Sequence, residues 1–402
     1  MLNNKEYINK LYQSDKALII YKVKNGFDIY TDLKEKIIVK NSNLKKFLNY
    51  QVKKKHSKIS DLNCYIGFLG YKILCENINV HLPKQKSNNF YPGIFYRPQT
   101  IIKIRKNILI KSSLKNYRNF KIEKNKKYYH TDKFKVNINL QQYSKLFDKF
   151  SKKIKEGKTY QIKICQTYRN KAKINSIDFF WNLMKINQSP ESFLIRDKDY
   201  SIISCSPETL INKKNKYITT KPIAGTLRKR KNMSKSIALN FFRKNEKESK
   251  EHNMIVDMER NDLSKICKTG SVKIKKLKKV EEFRDLYHYV TTIGGKIKSK
   301  ITNHDIISAL MPGGSVIGCP KISTLNLLNK SENFERSIYT GSFGLIYSNG
   351  NMRFNIIIRS ILNFNNLVEI SAASGVILGS KAKNEYAENA IKAKSLLDLF
   401  KL

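Results

Sequence analysis

The spacing of hydrophobic and polar residues divides the chain into two parts with different patterns. Over roughly the first 110 residues, short apolar runs such as 17–23 and 36–39 alternate with polar turns, which is typical of β-strands. Residues 62–71 predict another strand that runs into a bend marked by glycines. Residues 112–134 are rich in Lys, Asn and Tyr and poor in aliphatic side chains, so this segment predicts a surface connection.

Helical spacing appears beyond about residue 140. In residues 141–156 the apolar side chains recur every three or four positions, and the run ends at Gly157, a usual helix stop. Helices are also predicted over 234–257, which leads into a loop at 261–263, and over 383–400. The predicted strands of this part cover 160–167, 193–203, 271–274, 289–292, 338–347, 352–361 and 368–376. Long strands with interspersed helices favour an α+β fold over a parallel doubly wound sheet.

Composition narrows the class of protein without identifying its chemistry. The 402 residues suffice for a large hydrophobic core, and no apolar run approaches the roughly 20 residues that cross a bilayer. The first 25 residues lack the order of a secretory signal, so we expect a cytoplasmic protein with no membrane partner. The six cysteines are scattered without a C-x-x-C pair, which predicts reduced thiols and neither a zinc site nor disulfides.

The net charge is the strongest compositional feature. The chain carries 78 Lys and Arg against 32 Asp and Glu, a formal charge of +46. Such a charge would attract nucleic acid, but the excess is spread over the whole chain and no basic patch is interleaved with aromatic residues. We therefore expect no nucleic-acid partner. A positive field would also help to attract a small dianionic substrate.

Acidic residues in the second part are candidates for metal chemistry. Glu251 lies in a helical stretch, and Glu385 and Glu388 share one face of the C-terminal helix with Lys392 one turn further on. Carboxylates from two helices would suit Mg²⁺. Glu and Lys at this spacing are, however, more often a solvated, salt-bridged helix face.

Two glycine-containing segments are equally ambiguous when each is taken alone. The loop 313–321, which contains Gly318, would be able to present backbone N–H groups to an anion, but it lacks the Gly-Lys-[Ser/Thr] ending of a P-loop. The segment 222–226 reads Pro-Ile-Ala-Gly-Thr. An ordinary tight turn is the simpler interpretation of both.

The order of these segments along the chain resembles the chorismate-binding domain shared by anthranilate synthase component I, aminodeoxychorismate synthase component I and isochorismate synthases. The matching segments are 222–226; 251–257 with 260–263; 313–321; 339–344 with 358–360; and 373–376 through 385–388 to 392–393. The resemblance covers residues 140–402 and extends weakly to 67–71. It implies an α+β fold with large antiparallel sheets in a two-layered sandwich flanked by helices. Residues 1–135 would be a shortened N-terminal region and 140–402 the catalytic domain.

The resemblance also implies roles for individual residues. Glu251 and Glu388, with Glu385 close by, would hold Mg²⁺, which would bind the ring carboxylate of chorismate. The implied substrate-binding residues are Tyr339, Arg359, Gly375, Lys392 and Gly318, and the implied catalytic positions are His288, Thr226 and Ala224. Arg359 would grip a carboxylate best, because a planar guanidinium donates two parallel hydrogen bonds. A lone histidine beside strand residues is more often structural, but here His288 would assist proton transfer.

Three reactions remain open: amination of the chorismate ring at position 2 (anthranilate), amination at position 4 (aminodeoxychorismate), and hydroxylation at position 2 (isochorismate). Ala224 stands where aminodeoxychorismate synthases typically have a nucleophilic lysine, and this residue favours anthranilate synthase. Residues 313–315, 339–342 and 354–356 look more like the aminodeoxychorismate group, and the Leu-Leu-Glu-Ser element of tryptophan feedback does not occur in the sequence. We expect aminodeoxychorismate synthase first, anthranilate synthase second and isochorismate synthase third.

The resemblance further implies a partner protein. Both aminating enzymes normally receive ammonia from a separate glutamine amidotransferase (glutaminase) subunit, and no Cys-His-Glu glutaminase arrangement is visible in this sequence. A non-catalytic, basic binding protein on the same fold is the alternative of a different class. The presence of Glu251, Glu388, Arg359 and Lys392 argues against that alternative.

Overall fold

The computed structural model describes residues 16–82, 87–115, 128–230, 233–282 and 286–401. Within this part of the chain, nineteen strands form one hydrogen-bonded antiparallel network. The strands are β1 Leu18–Val23, β2 Gly26–Ile38, β3 Cys64–Leu69, β4 Gly93–Ile104, β5 Ile108–Ser112, β6 Lys135–Val136, β7 Gln161–Lys171, β8 Glu191–Arg196, β9 Tyr200–Ser206, β10 Thr209–Lys214, β11 Tyr217–Thr220, β12 Ile223–Arg228, β13 Lys273–Glu282, β14 Leu286–Lys296, β15 Gly318–Cys319, β16 Ser342–Tyr347, β17 Met352–Asn355, β18 Ser360–Phe364 and β19 Leu367–Val376.

Helices lie between these strands and cover their faces. The α-helices are α1 Asn41–Lys46, α2 Tyr71–Glu76, α3 Leu140–Lys155, α4 Ser176–Ile186, α5 Lys235–Lys244, α6 Glu246–Ile266, α7 Asn303–Leu310, α8 Lys321–Asn329 and α9 Ala382–Leu397. The helix predicted over 141–156 is α3, and Asn139 caps it by accepting a hydrogen bond from the backbone N–H of Gln142. The predicted α+β class, with large antiparallel sheets and helices, is confirmed.

The network consists of two runs of strands that meet at β4. One run passes through β2, β1, β8, β9, β18 and β19 to β7, and the other passes through β3, β16, β17, β10 and β11 to β14. The largest hydrophobic core takes buried residues from both runs, for example Ile162 and Val376 from the first and Leu210 and Ile218 from the second. The two runs therefore share one core, and the helices that carry Glu251 and Glu388 lie against it.

Strands from the first 112 residues are integral to this network. β3 pairs with β16, where Leu69 faces Ser342, and β1 pairs with β8. The N-terminal segment and the later segments thus complete each other's sheet edges. The predicted division into residues 1–135 and 140–402 stays a prediction.

The prediction was wrong about the helical segment after residue 234. Asn245 ends α5 and caps α6, whose N-terminal turn donates the Glu248 N–H to the Asn245 side chain. Helix α6 then continues to Ile266, so the predicted loop at 261–263 is helical. Two features favour this continuation: the stretch contains neither glycine nor proline, and Leu263 and Ile266 are buried on the core side.

The two long strands predicted over 338–347 and 352–361 are shorter than expected. β16 begins only at Ser342, and the second segment breaks into β17 and β18 with residues 356–359 between them. Thr340 and Arg359 have φ values of +62° and +53°, which end regular pairing at these points. The break matters for the site, because Arg359 then lies in the connection between β17 and β18 and not within a strand.

Other predictions have simpler outcomes. Residues 116–127 of the predicted surface connection lie outside the described residues. All six cysteines are free thiols, as predicted, and all but Cys319 are buried. In the described ranges, no helix combines the length and hydropathy needed to span a membrane.

Candidate active site

Strand β7 and helix α6 bring a buried ion pair together. Lys163 Nζ donates to Glu251 Oε1 at 2.9 Å, and Gln161 Nε2 donates to the same oxygen at 2.5 Å. Gln161 and Lys163 are two positions apart in a strand, so their side chains leave the same face of the sheet. Burial by itself would raise the pKa of Glu251, but the ammonium groups of Lys163 and Lys392 outweigh burial and lower it. The Glu251 carboxylate is therefore ionised at neutral pH.

The C-terminal helix α9 supplies a second ion pair. Lys392 Nζ lies 2.6 Å from Glu388 Oε1 and donates to the backbone oxygen of Ala373 at 2.9 Å. Burial would raise the pKa of Glu388, yet Lys392 and then Lys163 hold it below its ordinary value. Glu385 lies one turn earlier on the same helix and is only 2% exposed. This helix face is thus only partly solvated: Glu385 is buried, whereas the Glu388 side chain is 45% exposed and that of Lys392 25% exposed.

Arg359 reaches the same region from the break between β17 and β18. Its backbone is held by a hydrogen bond from the Cys205 N–H to the Arg359 oxygen, 3.0 Å long. Its Nη1 donates to the backbone oxygen of Lys392 at 3.2 Å, so the guanidinium lies against α9. Burial lowers the pKa of Arg359, while Tyr339, Cys205 and Glu388 act in the opposite direction. An arginine nevertheless stays protonated at neutral pH.

Lys163, Arg359, Lys392, Glu251 and Glu388 are referred to below as the charged cluster. Burial lowers the pKa of Lys392, Glu388 raises it, and the positive charges of Lys163 and Arg359 lower it further. The members of the cluster therefore lie within electrostatic reach of one another. The structure therefore brings together five residues from four segments that are far apart in the sequence. Four of them were predicted from the sequence, and Lys163 was not.

Tyr339 forms an apolar wall next to this cluster. Its ring is buried and contacts Cys165, Ala373 and Ile358. Burial raises the pKa of Tyr339 far above its ordinary value, and the Arg359 guanidinium opposes this only in part. The phenol is therefore neutral and remains a hydrogen-bond donor near Arg359. Tyr339 thus lies within electrostatic reach of Arg359, and its role in substrate binding stays a prediction.

Gly375 provides the space in which the Lys163 side chain lies. The two residues face each other in the ladder between β19 and β7, so their side chains would occupy the same face. A Cβ on Gly375 would lie 2.6 Å from Lys163 Nζ and 2.7 Å from Gln161 Nε2. Any larger residue at this position would push both nitrogens away from Glu251.

The backbone conformation at position 318 requires a glycine. Gly318 pairs with Ile162 at the start of β7, has a φ of +134°, and would place a Cβ 2.0 Å from the Gln161 backbone oxygen. Only glycine allows this close approach of two backbones. The neighbouring Ile317 oxygen accepts the Lys163 N–H at 3.0 Å, so the loop 313–321 fixes the strand that carries Lys163. A direct contact between Gly318 and substrate stays a prediction.

The predicted catalytic positions come together on β12 and β14. Thr226 pairs with His288 and Ala224 pairs with Tyr289 in the backbone ladder, which has a bulge between the two β12 residues. His288 is 5% exposed, and its Nδ1 lies 3.4 Å from the Gly225 oxygen. Burial, and then the Arg359 charge, lower the pKa of His288 to about 4, so the imidazole is neutral at pH 7. The side chains of Ala224 and Thr226 lie outside the described part of the structure.

Glu208 is a candidate site residue that the sequence analysis missed. Its carboxyl group is 4% exposed, and Ser315 Oγ in the glycine-rich loop donates to Glu208 Oε1 at 2.7 Å. Burial raises the pKa of Glu208 to about 7, although the bonds from Ser315 and from the Ile223 backbone and the charge of Lys163 each lower it. Glu208 thus lies between the segments 222–226 and 313–321. Its only sequence signal is a carboxylate in the two-residue connection between β9 and β10.

Comparison with known proteins agrees with this arrangement. A family model described as chorismate binding enzyme matches residues 6–398. The chain belongs to the chorismate-binding enzyme family. Aminodeoxychorismate synthase component 1 of Bacillus subtilis (strain 168) is 33% identical over 252 residues, which are 62% of this chain and 54% of that protein. Anthranilate synthase component 1 of Buchnera aphidicola subsp. Pemphigus spyrothecae is 31% identical over 348 residues, 79% of this chain and 67% of that protein.

A solved structure supports the same family at the level of the fold. The crystal structure of anthranilate synthase component I from Streptococcus pneumoniae TIGR4 matches with a TM-score of 0.75 and 25% identity, over 96% of this chain and 91% of that chain. The chain spans little more than half the length of the first curated relatives it matches, at 54% and 53%. The family of this chorismate-binding enzyme is therefore established, whereas its substrate and product are matters of proposal.

The carboxylates predicted to hold Mg²⁺ are not arranged as a metal site in this chorismate-binding enzyme. Mg²⁺ requires open carboxylate oxygens at about 2.0–2.1 Å in near-octahedral geometry. Glu251 Oε1 instead accepts two N–H donors, and Glu388 Oε1 is paired with Lys392. Among the described residues, no three His, Cys, Asp or Glu side chains form a group that would hold a metal ion. The residues present do not fit a resident Mg²⁺ at Glu251, since Lys163 already pairs with it.

Proposed function

We propose that this chain is the large subunit of an aminodeoxychorismate synthase, which replaces the ring hydroxyl of chorismate with an amine at position 4. The observation that supports this most is the charged cluster, in which the partly exposed Lys392 lies within electrostatic reach of buried Lys163 and of Arg359. Chorismate carries two carboxylates, and a buried site for such a dianion requires cations that are already in place. Lys163, Lys392 and Arg359 meet that requirement.

Each cation of the cluster has a different part in binding. Arg359 is the residue suited to a carboxylate gripped by two parallel hydrogen bonds, because its fork of donors is rigid and permanently charged. Lys163 and Lys392 are point charges that attract the carboxylates of the substrate while they remain close to Glu251 and Glu388. Tyr339 lines the apolar side of the same region and offers its neutral phenol as a donor. We expect the ring to lie between these groups and the strands β12 and β14.

Glu208 supplies the proton for the departing hydroxyl. With a pKa of about 7, a large fraction of this carboxyl group is protonated at neutral pH, as a general acid must be. The C–O bond to the hydroxyl breaks as the Glu208 proton is transferred, and water leaves. The C–N bond forms from ammonia, which releases one proton, and that proton restores Glu208. The sum is chorismate and ammonia giving aminodeoxychorismate and water.

Ammonia attacks the ring directly in this proposal. Ala224 has no nucleophilic group, and Lys163 is unsuited to that role because its pKa is raised: burial would lower it, but Glu251, Glu388 and Glu385 outweigh burial. A protonated amine has no lone pair for attack. Neutral His288 accepts a hydrogen bond on this side without placing a second positive charge beside Arg359.

Anthranilate synthase is the second candidate function, and Ala224 favours it. Its reaction would use the same dianion site and the same acid, with ammonia entering at ring position 2 and pyruvate leaving afterwards. In either reaction, ammonia would come from a glutamine amidotransferase subunit. The resemblance also implies Mg²⁺ at Glu251, Glu388 and Glu385, but no step above is routed through a metal, because Lys163 is paired with Glu251.

A product analysis tests this proposal. Purified protein is incubated with chorismate and an ammonium salt at mildly alkaline pH, and parallel tubes contain added aminodeoxychorismate lyase. We expect 4-aminobenzoate only in the tubes with the lyase. Fluorescent anthranilate without the lyase would favour the second candidate, and isochorismate would contradict both aminating functions.

A further inference from the structure

Lys163 is the member of the charged cluster to which the resemblance assigned no role. Both backbone groups of this residue are fixed, because its N–H donates to the Ile317 oxygen at 3.0 Å and its oxygen accepts from Arg336 Nη2 at 2.8 Å. Arg336 is itself buried and held by Glu332. The Lys163 side chain therefore starts from a fixed backbone and extends across Gly375.

The ammonium group ends between the carboxylates that the resemblance assigned to a metal ion. Its Nζ is 2.9 Å from Glu251 Oε1, and it is close enough to Glu388 and Glu385 to be influenced by both. The Lys163 side chain is 10% exposed. A buried ammonium that pairs with Glu251 and lies within electrostatic reach of two further carboxylates carries the sign of charge of a bound cation.

A divalent ion and this ammonium exclude each other at Glu251. Mg²⁺ would need the Glu251 oxygen at about 2.0–2.1 Å and a shell of further oxygens around it. The ammonium occupies that side of the oxygen, and Gln161 donates to the same atom. Two like charges at that separation also repel each other strongly in a buried site. The pairing of Lys163 with Glu251 thus occupies Oε1 and sets a positive charge where the metal would bind.

We propose that Lys163 is a built-in cation that takes the place of Mg²⁺ at Glu251 and holds a carboxylate of the substrate beside Gly375. The proposal rests on the proposed function for the identity of that substrate. In this account the chorismate reaction of this chain needs no added metal. Loss of the Lys163 charge opens the three carboxylates to a divalent ion and makes turnover depend on it.

Direct metal binding tests the proposal without reference to activity. Mn²⁺, which reports its binding by electron paramagnetic resonance, is titrated into the wild-type chain, Lys163→Met and the control Lys250→Met. Lys250 pairs with Glu246 on the exposed face of the same helix as Glu251, so the control loses one lysine outside the cluster. We expect no cluster-bound Mn²⁺ in the wild type or the control, and one bound ion per chain in Lys163→Met.

Turnover is the second readout of the same experiment. EDTA should leave the wild-type rate unchanged, whereas Lys163→Met should lose turnover in EDTA and regain part of it with Mg²⁺. If Lys163→Met does not fold, Lys163→Gln replaces it in both assays. A wild-type Mn²⁺ site that disappears in Glu251→Gln would overturn the proposal, and so would a folded Lys163 variant that gains no metal affinity. Wild-type turnover that is lost in EDTA and restored by Mg²⁺ would also overturn the proposal. A wild-type chain that consumes no chorismate even with added Mg²⁺ refutes the proposed function instead, and the Mn²⁺ titration still decides the role of Lys163.

Discussion

Replacement of Glu208 by glutamine should remove turnover and stabilise the protein at the same time. The pKa of Glu208 is raised from 4.5 to about 7, mainly by burial. A shift of that size corresponds to on the order of 3 kcal/mol between the protonated and ionised forms in the folded state. Glutamine keeps the oxygen that accepts from Ser315 and cannot ionise, so the variant avoids that cost.

The sign of the effect follows from linkage. Because the folded-state pKa is the higher one, the stability contributed by protonated Glu208 is fully present below pH 4.5 and is lost as pH rises through about 7. Glu208→Gln should therefore match the wild type near pH 4.5 and exceed it by up to about 3 kcal/mol near pH 8. All other titrating groups are common to both chains, so they cancel in the difference.

Urea unfolding at a series of pH values measures this difference, and steady-state kinetics measures the turnover. As a general acid, Glu208 should contribute about 10²–10⁴-fold to the rate. The wild-type kcat/KM for chorismate, measured at a fixed concentration of free ammonia, should fall as pH rises above 7. A stability difference that is the same at pH 4.5 and pH 8 would mean that Glu208 is ionised in the folded protein, and the general-acid assignment would be refuted.

Three further changes test other parts of the account. Arg359→Lys keeps the charge but loses the planar fork, so kcat/KM for chorismate should fall by about 10–100-fold, since a hydrogen bond to a charged group is worth roughly 1.5–3 kcal/mol; an unchanged kcat/KM would exclude Arg359 from carboxylate binding. Gly375→Ala places a Cβ 2.6 Å from Lys163 Nζ, so calorimetric chorismate affinity should drop with little change in the unfolding transition; full affinity would contradict the position given to Lys163. Asp262→Ala breaks a buried pair with Lys321, 2.6 Å long, and should cost about 3–5 kcal/mol of unfolding free energy in urea. Its exposed control on the same helix, Asp257→Ala, should cost less than about 1 kcal/mol, and equal losses would contradict the burial argument.

Much of the fold followed from local signals. The helix α3 was predicted within one residue at each end, because its apolar spacing is regular and Gly157 follows it. The extension of α6 through residues 261–263 was missed, since polar Asn261 and Asp262 suggested a loop. Asp262 is nevertheless buried against Lys321 from a different segment. A contact between residues that are 59 positions apart leaves no periodic signal in the sequence.

Most site residues were predicted from the order of the motifs along the chain. The two residues that this prediction missed have a physical explanation. Glu251, Glu388, Arg359 and Lys392 lie in segments whose sequence matches a known pattern. Lys163 is a single charged residue inside a strand, and Glu208 is one in the short connection between β9 and β10; charged residues at such positions are usually exposed to solvent. What makes them unusual is burial by other segments: Gly375 opens the space over which Lys163 folds, and Ser315 caps the Glu208 carboxyl group.

The most direct test of the central claim follows labelled nitrogen from ammonia into the product of chorismate. Purified wild-type chain and Arg359→Ala are each given chorismate and isotopically labelled ammonium, and mass spectrometry records chorismate loss and the label in the ring product. The account predicts that the wild type consumes chorismate and yields a singly labelled aminodeoxychorismate, while Arg359→Ala leaves most chorismate unchanged. Chorismate that persists with the wild type, or that disappears without uptake of the label, would contradict the claim that this chain aminates chorismate.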